Sequence, residues 1–487
     1  MSVGRSLSLG ALVLTVGRVA TIGLSLLAIA VMTRAASVAD FGQFRTAMAF
    51  LSNAMSIGTL GVNAILVREI SRPDAPQSAI LGAAVVLRLI VTSTALVLAT
   101  LLALVLPLDA PTRIAVAVGA VGFVAYAIHT MLIGLFQQKL DQRGSVLAEV
   151  TGGVAFLLLV LLLALLQLAN AVTLIAMQAI AYLITITITW RAAQRLQRFH
   201  LRVDTERWRA FLIAGAPIAI TGIMQVIYYR SDTIFLALWK GPESVGIYGV
   251  PARITDGVVG LIYVFIGMVT PLLARHARGS MPEYRDTLDN ALRALAVGTV
   301  GAIVILWSFA PEFVRVVGGA AYLDGVPALR ILALLVFVSP LGMMMRDAST
   351  AVDAQHRLIM GYVVALVVAL AAYALAIPAY GAAGAAMAVV VGEATGCAWA
   401  ASIAIRSSGW SPRLRGPLVA ILLGICTIVL LGWMAENGYG LVLRFLAGMA
   451  VYGGGLFVTG TIHRADVLAL AGRSAKPKSG SAPRPIP

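Results

Sequence analysis

Apolar runs long enough to cross a bilayer recur from one end of this chain to the other, and several carry charged residues in their interior. A helix crosses the hydrocarbon layer in about 20 residues. Lipid offers no partner to an unpaired backbone N–H or C=O, so such runs fold as helices rather than open strands. With 60% of its 487 residues hydrophobic, 12% charged and a mean hydropathy of +0.94, the chain reads as an all-α polytopic membrane protein.

The runs divide into fourteen expected spans. They lie near 8–33, 41–66, 79–107, 114–136, 145–168 and 170–190, then 211–238, 246–274, 290–310, 326–348, 357–377, 382–405, 416–434 and 440–461. The basic residues orient them. With the N-terminus in the cytoplasm, 24 of the 36 lysines and arginines fall in the inner connections and tails, and only Arg34, Arg113, Lys240 and Arg315 fall outside. That bias places both termini inside, and it accounts for the net charge of +15 without invoking nucleic acid.

The longest inner connection, 191–210, is basic and helical in period, and reads as a linker lying on anionic lipid. It separates an N-terminal part, 1–190, from 211–405, with two further spans over 406–463. The tail, 464–487, is rich in Pro, Ser and Lys and is expected to be disordered. Cys397 and Cys426 both sit in apolar runs and imply no disulfide framework. The first apolar run is span-length and lacks a signal-peptide cleavage pattern, so it is expected to be retained.

Chemistry has few places to reside. There is no P-loop, no HExxH and no Cys/His cluster at metal-ligand spacing, so no enzyme activity and no cofactor is expected. His129, within a span, reads as a packed polar residue rather than a proton relay. The outer connections are short, which leaves no room for a soluble catalytic domain on that side.

The unusual feature is charge inside the spans: Arg18, Arg45, Arg88, Arg230, Asp232, Arg253 and Asp256, with Glu149 and Glu393. An ionised group in lipid is costly, so each should face protein or a watery cavity. Arginine suits phosphate, because its planar fork stays charged and binds oxygens in pairs. Arg18, Arg45, Arg230, Arg253 and Arg88 are therefore candidates for a cationic substrate cavity, suited to an anion such as a pyrophosphate-linked lipid. Asp232, Asp256 and Glu393 are candidates for binding a coupling H+ or Na+, or for neutralising an arginine.

Plainer readings stand beside these. Arg253 and Asp256 are three apart on one helix face and could be partners only of each other, Arg45 is close enough to a span end to snorkel, and Arg88 and Glu149 could pair across helices. Tyr228, Tyr229 and Gln225 are placed for sugar contacts near Arg230 or, more simply, for helix packing. Pro217, Pro251, Pro271 and Pro340 are expected to interrupt their spans.

A weak internal repeat links the halves. TRAASVADFGQF aligns with ALWKGPESVGIY 204 positions later, setting Gly42 on Gly246 and Phe44 on Tyr248 across an elbow over 241–248. Together with Arg18 and the stretches AASVADFGQF, RTAMAFL and GTLGVNAILVREISR, then Asp232, GPESVGIYGVPARI and TPLLAR, this pattern resembles spans 1–2 and 7–8 of bacterial polysaccharide flippases. These belong to the multidrug/oligosaccharidyl-lipid/polysaccharide superfamily. The resemblance implies two pseudo-symmetric six-helix lobes in a V around a central cavity, with spans 13 and 14 flanking a groove for a lipid tail. It implies movement of an undecaprenyl-pyrophosphate-linked oligosaccharide across the bacterial inner membrane, in company with a polysaccharide polymerase and glycosyltransferases. Drug/cation antiporters share the fold but usually favour acidic or aromatic cavities. A membrane-bound glycan polymerase or ligase is the alternative from outside transport.

Overall fold

The computed structural model describes residues 3–462 except Leu60, Pro73 and Leu140. The tail 464–487 lies outside the described residues, as do the side chains of Arg5 and Pro217. No strand occurs among the described residues, and seventeen α-helices follow in order. In the first half these are α1 (Val3–Ala35), α2 (Val38–Ile57), α3 (Val62–Ile70), α4 (Gln77–Val105), α5 (Ala110–Gln138), α6 (Arg143–Leu165) and α7 (Ala171–Leu196). The second half runs through α8 (Thr205–Arg230), α9 (Asp232–Gly279), α10 (Met281–Ser308), α11 (Ala310–Val317), α12 (Val326–Ala333), α13 (Leu335–Ala351) and α14 (Leu358–Ser408). It ends with α15 (Arg415–Glu436), α16 (Leu441–Gly448) and α17 (Gly454–Val458).

Eleven segments among the described residues are long and apolar enough to cross a membrane. Two of them, of 61 and 54 residues, are more than twice the length a crossing needs. Each reverses at a glycine. Gly241 (φ 81°, ψ 178°) divides α9 and Gly381 (φ 54°, ψ −124°) divides α14. Positive φ is cheap only without a Cβ. The elbow expected over 241–248 is therefore a single-residue turn, with helix resuming at Pro242.

The prolines behave otherwise than expected. Helix continues through Pro251, Pro271 and Pro340, because neighbouring helices can absorb the missing N–H of a membrane-embedded proline. The breaks fall instead at Ser231, between α8 and α9, and at the two glycines. The inner connection is also not the continuous helix that its period suggested. Helix stops at Leu196, and residues 197–204 are pinned to the bundle by the buried Phe199 and by the Gln194 side chain, which bonds both backbone groups of Phe199. Burying one aromatic ring there outweighs a helical period on an otherwise polar stretch.

Packing is dense within each half. Helix α1 lies on α6, α6 on α7, and α7 on α5, while in the second half α9, α13 and α14 pack on one another and α15 packs on α10. The halves meet chiefly where α1 and α2 face α8 and α9, the elements that carry the internal repeat. At that seam the two repeat-related glycines touch. A Cβ on Gly42 would stand 2.8 Å from Gly246 N and 2.7 Å from the Pro242 carbonyl carbon. Small residues allow this backbone approach, which favours helix association in lipid. Beside it, Thr33 Oγ1 donates to Val317 O (3.0 Å) and Arg34 Nη2 to Val316 O (2.8 Å), fastening the end of α1 to the last turn of α11.

Candidate functional site

The break between α8 and α9 sets out the site. Arg230 closes α8 and Asp232 opens α9. A cation at a helix C-terminus and an anion at an N-terminus each complement the local dipole, which helps a broken helix persist inside a bilayer. Asp232 is further held by Thr233 N (2.7 Å) and by the hydroxyl of Tyr248, which donates to its other oxygen. Its partner is thus a tyrosine rather than the nearby arginine.

Arg18, Arg45, Arg230 and Arg253 all line one cavity of about 480 Å³. A smaller one, of about 160 Å³, adjoins it and shares Arg45, Arg230, Arg253 and Asp256, with Asp232 in its wall. Contacts across the seam hold each arginine in place. From α9, Arg253 donates through Nε (2.9 Å) and Nη2 (2.5 Å) to Ser25 on α1. In the other direction, the Arg18 guanidinium on α1 lies over Gly260 of α9. The Arg45 side chain crosses Gly249, and its Nε is buried without a hydrogen-bond partner, so it faces the seam and does not snorkel. The backbone carbonyl of Arg230 accepts from Asn53 Nδ2 of α2 at 3.1 Å, and its guanidinium carbon stands 5.6 Å from the Tyr229 ring centre.

None of these four guanidinium groups is in an ion pair among the described residues. Arg253 and Asp256 share the cavity wall without pairing. Three carboxylates, Glu149, Asp232 and Asp256, therefore face four arginines across the two cavities, and positive charge remains in excess. Cations gathered in a concave site with low-dielectric walls focus their field on whatever enters it.

Two candidates fall elsewhere. Arg88 is 1% exposed within α4, lines neither cavity and has no partner for its Nε and Nη1. Its hydrophobic neighbours on α4 turn that face into the N-terminal core, so this arginine, a candidate because it lies inside a span, stands outside both cavities and makes no ion pair with Glu149 among the described residues. Glu393 is likewise 1% exposed and lies inside the second half near Arg346 and Tyr228, away from the cationic cavity. Tyr229 lines both cavities, whereas Tyr228 is buried and its backbone carbonyl accepts from Tyr373 (2.7 Å).

Sequence reasoning overlooked the N-terminal wall of the cavity. Glu149, Gln178, Tyr126 and Tyr182 line it, the two tyrosine rings stacked 4.2 Å apart at 17°. Glu149 was visible as an intramembrane charge, but nothing in its neighbourhood distinguished a cavity face from a packed one. The fully buried His129 meets Thr189 Oγ1 at 2.7 Å and faces Glu149 at 3.6 Å.

Comparison with known proteins follows the same lines. The sequence matches the family described as polysaccharide biosynthesis protein over residues 7–276, while no curated protein sequence matches. The fold resembles the lipid II flippase MurJ in an inward closed conformation, with a TM-score of 0.68 at 13% identity over 93% of this chain and 98% of that one. It also resembles an inward-facing multidrug resistance MATE family transporter of the MOP superfamily (TM-score 0.60, 15% identity, 89% of this chain and 96% of that one). A MOP superfamily transporter from Pyrococcus furiosus, described as having a binding pocket of reverse polarity, is similar at a TM-score of 0.59 (15% identity, 87% and 96% coverage). An all-helical, multi-pass membrane protein with the MurJ/MATE fold, this chain belongs to the polysaccharide biosynthesis protein family.

Proposed function

We propose that the protein is a flippase that moves an undecaprenyl-pyrophosphate-linked oligosaccharide from the cytoplasmic to the periplasmic leaflet of the bacterial inner membrane. The observation that carries this reading is the convergence of four arginines, from α1, α2, α8 and α9, none in an ion pair among the described residues, on one cavity of about 480 Å³. Arg18, Arg45, Arg230 and Arg253 grip the pyrophosphate as forked, permanently charged donors. The polar and aromatic wall formed by Gln178, Tyr126 and Tyr182 contacts sugars, and the isoprenoid tail stays in lipid beside α15 and α16. The parts before and after 191–210 act as the two lobes of an alternating-access device, parting at the Gly42–Gly246 seam to expose the cavity outward. Both termini lie in the cytoplasm on this reading, and a polymerase and glycosyltransferases work on either side of the step. Asp232, Asp256 and Glu393 remain candidates for a coupling H+ or Na+.

A cationic drug antiporter of the same fold is disfavoured by the positive excess, which would repel its substrate. The decisive experiment follows lipid-linked oligosaccharide in cells depleted of the protein. Accumulation on the cytoplasmic face, reversed by the wild type and not by Arg230→Ala, is the expected result. Single repeat units gathering on the periplasmic face would hand the role to a polymerase, and unchanged pools with altered sensitivity to cationic drugs would favour the antiporter.

A further inference from the structure

The two walls of the cavity differ in chemistry. All of its arginines come from the seam, and so does Asp256, with Asp232 in the adjoining smaller cavity. The opposite wall is built by α5, α6 and α7, which contribute Tyr126, Glu149, Gln178 and Tyr182. On that wall Glu149 is the single formal charge among the described residues. Tyr126 lies within electrostatic reach of Glu149, Arg18 and Arg253, and Tyr182 within reach of Arg253, so this wall begins where the arginines end.

The wall is built for hydrogen bonding more than for stacking. The Tyr126 ring lies against Tyr182 at 4.2 Å and against His129 at 5.5 Å, and Tyr182 meets Phe123 at 5.3 Å. Rings engaged with one another in this way offer a ligand mainly their hydroxyls. None of the four wall side chains has a hydrogen-bond partner among the described residues, and their polar atoms are open rather than sealed. Glu149 itself is one-third exposed. A few polar groups placed in this way fix the orientation of a ligand and decide which ligand is held.

We infer that Glu149 selects the first sugar of the substrate, admitting a neutral or amino sugar and turning away an acidic one. This rests on the reading of the cavity as a pyrophosphate site. The pyrophosphate is drawn to the arginines, and the sugar bonded directly to it meets the next groups along, those of the α5–α7 wall. Tyrosine hydroxyls and the Gln178 amide both donate and accept, whereas a carboxylate only accepts. A sugar hydroxyl or ammonium group gives Glu149 a charge-assisted hydrogen bond. A uronic acid sets a second carboxylate beside it, and like charges brought together exclude a wrong partner. A unit charge about 8 Å away, at an effective dielectric constant of about 20, is worth roughly thirtyfold in affinity.

The test is binding calorimetry on the full-length protein in nanodiscs at neutral pH. The probes are citronellyl pyrophosphates carrying glucosamine, glucose or glucuronic acid, which share chain and pyrophosphate and differ in the charge of the sugar. The wild type should bind them in that order, tightest first, with glucose favoured over glucuronic acid by roughly thirtyfold. Glu149→Gln should remove most of that preference, and Asp256→Asn, on the opposite wall, should keep it. A wild type with no preference or the reverse order would overturn the inference and leave the proposed substrate standing. So would a preference that survives Glu149→Gln or disappears with Asp256→Asn. No binding of any probe by the wild type would sink both readings. If Glu149→Gln fails to fold, the wild-type order and its persistence in Asp256→Asn still decide the matter.

Discussion

Replacing Gly42 with alanine puts a methyl group at the tightest point of the seam between the halves. The new Cβ would stand 2.7 Å from the Pro242 carbonyl carbon and 2.8 Å from Gly246 N, with the Pro242 oxygen closer still. All of these are backbone atoms, so no side-chain rotation relieves the clash. Helices α2 and α9 must part by on the order of 1 Å, and overpacking of this kind costs about 1–3 kcal/mol. A rigid backbone neighbour puts the cost toward the upper end, and about 3 kcal/mol is roughly a hundredfold shift in a two-state equilibrium. Because the seam is closed in this structure, Gly42→Ala should favour the state in which it is open. The assay is labelling of Gln178→Cys, in the cavity wall, by an impermeant maleimide added outside intact cells, with Cys397 and Cys426 replaced by serine. Labelling should accelerate in the Gly42→Ala background. Gly267→Ala, where nothing lies within 4 Å of the new Cβ, should leave it unchanged. An unaltered labelling rate in folded Gly42→Ala protein would refute the idea that this contact closes the outer side.

Two further predictions concern the edges of the bundle. Arg444 on α16 pairs with Glu312 (3.0 Å), donates to Ser308 O (2.8 Å) and stands 5.0 Å above the Phe309 ring; Arg444→Ala should cost about 3 kcal/mol, the penalty for leaving a half-buried partner unpaired, and should lower the thermal midpoint in detergent. Asp204 caps α8, and the Arg207 amide and guanidinium hold its carboxyl below the usual carboxylate range. A depressed folded-state pKa stabilises above the unfolded value and is lost as pH falls through the folded one. Hydrogen exchange at the Arg207 amide should therefore quicken, relative to its intrinsic rate, only on acidification below that range, and Asp204→Ala should remove this pH dependence.

The legibility of the sequence differs sharply between levels. The apolar stretches expected to span proved mainly helical, because lipid leaves the backbone no alternative. The short stretch that recurs 204 positions later located the seam, since Gly42 and Gly246, aligned by it, both lie where the helices touch. The prolines misled, for a helix in a bundle can keep running past one. The connections expected after 238 and after 377 do fall at Gly241 and Gly381, but each is one residue at positive φ rather than a loop, which the apolar pattern does not encode.

Apolar length alone dictates that this chain crosses a membrane many times as helices, and the cost of charge in lipid dictates that its buried arginines serve a purpose. Four arginines picked out on that ground share one cavity. Which charges meet is a matter of how the helices pack. Arg88 and Arg45 look alike in the chain, yet the face of α4 bearing Arg88 packs into the core while Arg45 crosses Gly249 into the cavity. Glu149 and His129, 20 residues apart on separate helices, come within 3.6 Å. A helix that is apolar all round has no polar stripe to mark a lipid-facing side from a bundle-facing one. The rotation of each helix is therefore set by its neighbours, and with it the identity of the site.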